Sequence, residues 1–358
     1  MNRITPFVMA GGTGTRLWPI SRAAKTKQFH ALTDGRTPLQ ETLGRLAYAP
    51  DLFDPPVVVC NAAHEAAVRE QVAVDRPPPR LILEPVGRDT GACAAVAARW
   101  LTREAGGERL ILLAPADHLI ASPAAFAAAV KKAVPAAREG RIVTLGVRPT
   151  RPETGYGYIR LGEPFGDVFE VAQFVEKPDR ETAQRYLAHG GYLWNAGYFL
   201  FRADRMTEEM ARLRPHNAAR AREAVDRGRP IKGGGFALDA EAFAAVPTES
   251  IDFAIMQKTD RIAVAPLEAG WSDIGSWSAV WDNAPKDTAG NVTRGDVLAI
   301  GVRDCLIRSE GPTVAVTGVE GLVVVATPDA VLVAARQETQ NVKKIVESLI
   351  RMGRTELL

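Results

Sequence analysis

The run from Phe7 to Phe29, FVMAGGTGTRLWPISRAAKTKQF, constrains this chain more than any other stretch, because a hydrophobic strand passes directly into a glycine and threonine turn loaded with cations. Val8, Met9 and Ala10 read as the end of a buried strand. Gly11, Gly12 and Gly14 then remove side chains where the backbone must bend sharply and approach a ligand, which leaves backbone N–H groups as donors. Such a nest takes anions, and Arg16 and Lys27 add a forked and a point charge suited to a polyphosphate. The turn of Ala10, Gly11, Gly12, Thr13, Gly14 and Thr15 therefore points to a nucleoside triphosphate. Neither common glycine fingerprint fits: Leu17 stands where the dinucleotide motif needs its third glycine, and no Gly-Lys-Ser/Thr opens a helix.

At 358 residues and 46% hydrophobic content the chain has room for one large domain and a small one. A net charge of +2 gives no global reason to bind nucleic acid or an anionic membrane, so polyanion binding has to come from a local site. Cys60, Cys93 and Cys305 are scattered without Cys-x-x-Cys or His spacing, which argues against a disulfide framework and a structural zinc. The start of the chain lacks a basic-then-apolar leader and no apolar segment has spanning length. The expectation is a cytoplasmic protein with neither nucleic acid nor membrane as partner.

Up to about Asn283, short β-rich runs near 57 to 61, 81 to 84, 110 to 114 and 142 to 147 alternate with Ala-rich segments of helical period. That alternation predicts an α/β, Rossmann-like fold with an open, mostly parallel sheet, and ligands beyond the carboxyl ends of its strands. Ser122 and Pro123 read as an N-cap and first helical position. After Pro285 closely spaced apolar runs predict a small β-rich domain, giving expected domains of 1–284 and 285–358. At the end, Val342, Ile345, Val346, Leu349 and Ile350 form one apolar stripe at helical spacing, to be buried on the sheet domain or on a second subunit. The tracts around Arg76 to Pro79 and Gly228 to Gly235 read as surface loops.

Several carboxylates and glycines fall at predicted strand ends. Asp117 follows LILLAP and opens the turn PADH, and Asp273 lies in GWSDIGSW. A lone turn aspartate is more often a cap, but two such carboxylates with only phosphate and water for company suit Mg²⁺, a hard cation that keeps substrate and solvent oxygens. His118 reads as a structural neighbour. Glu176 and Lys177 close the strand VAQFVEKP, which alone would pass for a solvated terminus. Gly157 in TGYGYI and Asn195 and Gly197 in WNAGYFLF are turns or bulges, or the close backbone and side-chain amide that a sugar ring needs. Glu84, Arg88, Asp89 and Thr90, in LEPVGRDTGACAA, form at least a capped helix start.

Taken in order, these motifs resemble the sugar-nucleotide pyrophosphorylases in their mannose-1-phosphate guanylyltransferase form, with signature GxGTRLWPxSRxxxPKQF, and the likeness extends over nearly the whole chain. Thr26 departs from the family's proline, which implies altered loop rigidity with the charge of Lys27 kept. The resemblance implies GTP and mannose 1-phosphate as substrates, GDP-mannose as product, Mg²⁺ on Asp117 and Asp273, Arg16 and Lys27 on the triphosphate, and Lys177 neutralising the sugar phosphate. It further implies Glu176, Gly157, Asn195 and Gly197 at the sugar, the EPxGRNT-like segment at the base with Asp89 in place of asparagine, a left-handed β-helix as the tail, and a homodimer. A carboxylate from Glu84 or Asp89 can accept both adjacent donors of guanine, which thymine and uracil lack. Phosphomannose isomerase activity is not expected of a chain ending at Leu358. A pyrophosphorylase for another sugar or base, such as a glucose-1-phosphate thymidylyltransferase, and a non-catalytic sugar-nucleotide sensor are the alternatives; the LWP and KQF elements and the intact charge set disfavour them.

Overall fold

Runs rich in Val, Ile and Leu, bounded by turn residues, become the central strands of a computed structural model that describes residues 3–12, 14–33, 35–72 and 78–358. These are β1 (Ile4–Ala10), β2 (Val57–Asn61), β3 (Arg80–Glu84) and β4 (Leu110–Pro115). Their side chains are buried almost throughout, as strands covered on both faces require. The expected strand positions agree with these bounds to within a residue or so.

The chain divides into two compact units, the first comprising Met1–Gly11, Thr42–Ala116 and Ile120–Trp271. Its sheet runs in parallel from Gly235–Ala237 through β3, β2 and β1 to β4. Tyr192–Arg202 then inserts antiparallel to both β4 and Ile142–Val147, and Ile262–Pro266, Val168–Val175 and Tyr158–Phe165 complete the far side. The parallel register pairs Met9 with Pro115, Ala10 with Cys60 and Asn61 with Glu84, so β1, β3 and β4 all end at one edge. Antiparallel pairing brings Trp194 opposite both Tyr158 and Val147, which puts Asn195 and the end of Val168–Val175 at that same edge.

Three helices begin after these strands: α1 (Pro38–Ala47), α2 (Glu65–Val72) and α3 (Asp89–Ala105). In α3 a stripe of alanines and Trp100 is buried with Phe7, whose ring meets Trp100 edge-on at 5.8 Å. Small residues here let the helix lie close to the sheet. Ser122 accepts from Ala125 N at 3.2 Å with Pro123 opening the helix, as its sequence implies. The tract around Gly228 to Gly235 contributes a short hairpin between Arg229–Ile231 and Gly235–Ala237, while Arg76 and Pro77 lie outside the described residues.

The second unit gathers Gly12–Glu41, Asp117–Leu119 and Ser272–Leu358. Its extent differs from the expected boundary at 284/285, because two stretches distant in sequence join it and its C-terminal stretch already begins at Ser272. Val292–Arg294, Leu306–Ser309 and Leu322–Ala326 stack in parallel, and Val297–Ile300 pairs with Val314–Thr317 in the same sense, the arrangement of a β-helical coil. The final helix, Val342–Arg351, places Val342, Val346 and Leu349 in one cluster with Leu17, Trp18 and Trp277. The apolar stripe thus packs on the glycine-turn segment of its own unit, and Ile345 and Ile350 remain exposed. Two indole N–H groups tie this packing together: Trp18 Nε1 donates to Leu357 O at 2.8 Å and Trp277 Nε1 to Trp18 O at 2.9 Å.

Trp18→Phe keeps most of the apolar contact but leaves the Leu357 carbonyl without its buried donor. The expected outcome is a loss of about 1 kcal/mol, read as a lower Tm.

Candidate active site

In the second unit the chain turns at Gly14, whose φ of +59° is left-handed; a Cβ there would stand 2.4 Å from Lys27 Cβ and 2.7 Å from Ser21 Oγ. Only glycine fits that combination of backbone angle and approach. Thr15–Leu17 form a short helical turn, and Arg16 Nη1 donates to Gln340 Oε1 at 3.0 Å. Thr13 lies outside the described residues. A second short turn, Lys27–Phe29, buries Lys27 and brings its ammonium 2.8 Å from Asp117 Oδ2; the same ammonium donates to the backbone carbonyl of Asp273. Asp273 Oδ1 accepts from Gly275 N at 3.0 Å.

The Lys27 ammonium, the Asp117 carboxylate and the Asp273 backbone carbonyl therefore come together. Burial alone would raise the Asp117 carboxyl, but Lys27 and His118 outweigh it and hold the group below its ordinary range. His118 Nε2 stands 3.8 Å from Asp117 Oδ1, a neighbour to the carboxylate. Among the described residues no three His, Cys, Asp or Glu side chains gather as a metal cage. The Asp117 carboxylate, with few protein ligands around it, suits a hard cation that draws its remaining oxygens from substrate and water. Thr26, the departure from proline, is buried with a φ of −82°, near proline's range, and its hydroxyl finds no partner among the described residues. The substitution leaves Lys27 fixed.

In the first unit the sheet edge carries a second group. The Glu176 side chain is largely buried and its Oε1 meets Lys177 Nζ at 2.8 Å. Gly157 lies so close that a Cβ would stand 2.7 Å from Glu176 Oε2. Asn195 N donates to Gly157 O at 2.8 Å, and the Asn195 amide oxygen accepts from Thr144 Oγ1 at 2.7 Å and Gly197 N at 3.1 Å. Glu176, Lys177, Gly157, Asn195 and Gly197 are thus one constellation. Lys177 itself is left-handed, with φ +48°, a conformation that a bulky residue holds only under constraint. Burial works against its charge, yet Glu176, with Asp252 and Asp89 behind it, raises its pKa above the ordinary lysine value.

The segment after β3 is tied down more than it is left open. Arg88 donates to Ala244 O at 2.6 Å, Thr90 N donates to Asp89 Oδ1 at 2.7 Å, and Thr90 Oγ1 accepts from Ile251 N at 3.0 Å. Asp89 is exposed and left-handed, with φ +65°, whereas Glu84 is buried at the strand end. A ligand arriving from solvent meets Asp89 sooner than Glu84. Arg88 serves the backbone. Asp252, which sequence reading missed, accepts from Asn195 Nδ2 at 2.8 Å; a single Asp before FAIM carries no motif, and only tertiary contact reveals it.

Residues 5–290 match the nucleotidyl transferase family, and residues 295–349 match the mannose-phosphate isomerase/GMP-like β-helix domain. The chain is 45% identical to a mannose-1-phosphate guanylyltransferase of Escherichia coli K12, over 99% of this chain and 75% of that protein. It is 44% identical to the alginate biosynthesis protein AlgA of Pseudomonas aeruginosa, over 98% of this chain and 73% of that protein. A solved structure described as mannose-1-phosphate geranyltransferase from Thermus thermophilus superposes with a TM-score of 0.85 at 34% identity, covering 98% of this chain and 99% of that one.

Gly14→Ala should force Lys27 from its place and lower kcat/KM for the nucleotide on the order of 100-fold; activity within twofold of wild type would refute the packing argument. Burial pushes the Glu84 carboxyl up from 4.5 to about 7, so the native state keeps that proton to higher pH than the unfolded chain. Stability from this group then falls as pH rises across that window. Glu84→Gln removes the penalty: denaturant unfolding should show a gain for the variant near neutral pH that vanishes below the ordinary glutamate range.

Proposed function

The chain belongs to the nucleotidyl transferase family, in the form that carries the mannose-phosphate isomerase/GMP-like β-helix domain, and on that premise we propose that it transfers GMP from GTP to mannose 1-phosphate, giving GDP-mannose and pyrophosphate. A phosphate oxygen of the sugar attacks the α-phosphorus in line, and the bond to pyrophosphate breaks. The buried ammonium of Lys27, facing Asp117 and Asp273 behind a glycine turn, is the observation that supports this reading most. It offers charge and position and no covalent nucleophile, which is what phosphoryl chemistry between two anions demands.

In the second unit, the backbone N–H groups of the turn, with Arg16 and Lys27, take the triphosphate. Asp117 and Asp273 would hold Mg²⁺, which would supply Lewis-acid compensation of charge on the phosphates. In the first unit, Lys177 neutralises the sugar phosphate while Glu176, Asn195 and the backbone at Gly157 and Gly197 meet the sugar hydroxyls. Exposed Asp89 reads guanine through its adjacent N1–H and amino donors, and buried Glu84 shapes the strand end behind it. The buried thiols of Cys60, Cys93 and Cys305 fit a reducing cytoplasm, and among the described residues no helix is long and apolar enough to cross a membrane. Pairing as a homodimer would cover the exposed Ile345 and Ile350 of the last helix.

A pyrophosphate-release assay with Mg²⁺, mannose 1-phosphate and each nucleotide triphosphate tests the reading. GTP should be strongly preferred, Asp117→Ala should remove turnover, and Lys177→Ala should chiefly raise KM for the sugar phosphate. Equal use of UTP or dTTP, or wild-type rates in the Asp117 variant, would contradict it.

A further inference from the structure

We propose that Asp252 is a positioning residue for the sugar-phosphate half of the reaction, fixing the Asn195 amide in the one orientation the pocket uses. The inference rests on the guanylyltransferase reading above. Asn195 has two ways to present its amide, and its surroundings select one. The oxygen is claimed by two donors, Thr144 Oγ1 and Gly197 N, and the NH₂ by one acceptor, Asp252 Oδ1 at 2.8 Å. Flipping the amide would set oxygen against a carboxylate and NH₂ against two donors, so the orientation is enforced from both ends.

Asp252 is itself held by a backbone brace. It opens the π-type turn Asp252–Met256, whose Ala254, Ile255 and Met256 are buried in the core of the first unit. Irregular turns of this kind are frequent where a side chain must be aimed. Just before it, Ile251 N donates to Thr90 Oγ1 and Gly91 N to Glu249 O at 3.1 Å, while Arg214 grips Glu249 through two bonds of 2.6 Å. The stretch from Glu249 to Asp252 thus joins the first turn of α3 to the Asn195 strand. Burial and the nearby Glu176 carboxylate push the Asp252 carboxyl up to about 7, with Lys177 and Ser250 opposing. A half-buried carboxylate kept in so unfavourable a place, its Oδ1 already taken by the Asn195 amide, is consistent with service to a neighbour.

The test is steady-state kinetics of the full chain, varying mannose 1-phosphate and GTP separately, with thermal melting on every variant. Asp252→Ala should raise KM for mannose 1-phosphate about tenfold, the loss of one charge-assisted hydrogen bond, with KM for GTP within about twofold. Asp252→Asn, which still offers Oδ1 to the Asn195 NH₂, should recover most of that affinity. The Asp252→Ala/Asn195→Ala double variant should be no worse than Asn195→Ala alone, because one side chain acts through the other. Additive losses, equal damage to both substrates' KM, or an unchanged sugar-phosphate KM in folded Asp252→Ala would overturn the role. If the wild type makes no GDP-mannose, the functional reading falls and this inference with it; if the wild type turns over, only the role of Asp252 is at stake.

Discussion

The buried ammonium of Lys27 is the constraint on which the second unit's arrangement depends. A lysine lacking its usual water needs acceptors, and here they are the Asp117 carboxylate and the Asp273 carbonyl, from segments 90 and 246 residues away. Those two contacts explain why a loop from near the start of the chain, a three-residue piece after β4 and the tail share one unit. They explain Gly14 as well, since any side chain there would occupy the space of Lys27. The tryptophans complete the brace: the last helix and Leu357 grip Trp18, and Trp277 grips its carbonyl, so the glycine turn is backed by packed apolar surface.

Under the proposed reading, the first unit has a different task, that of placing a sugar against charged groups without flexibility. Parallel strands ending together give one rim, and the antiparallel insertion of Tyr192–Arg202 carries Asn195 and Gly197 to it. Backbone strain concentrates near these groups. Of the four described non-glycine residues with positive φ, Asp89 and Lys177 lie at this rim and Ile274 follows Asp273. Conformations this unfavourable, on the order of 1–3 kcal/mol each, persist only where surrounding bonds determine them; Thr90 N bonds Asp89, Glu176 bonds Lys177 and Ser272 Oγ accepts from Ile274 N.

Much of this was legible in sequence because the responsible features are local. A strand followed by glycines and cations, or by Pro-Ala-Asp, states its chemistry within ten residues, and the strand runs 57 to 61 and 142 to 147 announce themselves by composition. What stayed hidden is what depends on contacts between distant residues. Nothing near Asp252 hints that its partner is Asn195, nothing in GRDT says that Arg88 will spend its guanidinium on Ala244, and the alternation of strands and helices conceals the antiparallel strand at the centre of the sheet. The final stripe was visible as a stripe. That it would cover Leu17 and Trp18 was not, since periodicity names a face and never its partner.

A crystal structure with a non-hydrolysable GTP analogue, Mg²⁺ and mannose 1-phosphate addresses the central role of Lys27 most directly. The triphosphate should lie on the backbone N–H groups from Gly11 to Arg16, with phosphate oxygens within hydrogen-bond distance of Lys27 Nζ and a metal ion shared with Asp117. A nucleotide seated away from the Gly14 turn, or Lys27 without any approach to phosphate, would contradict it.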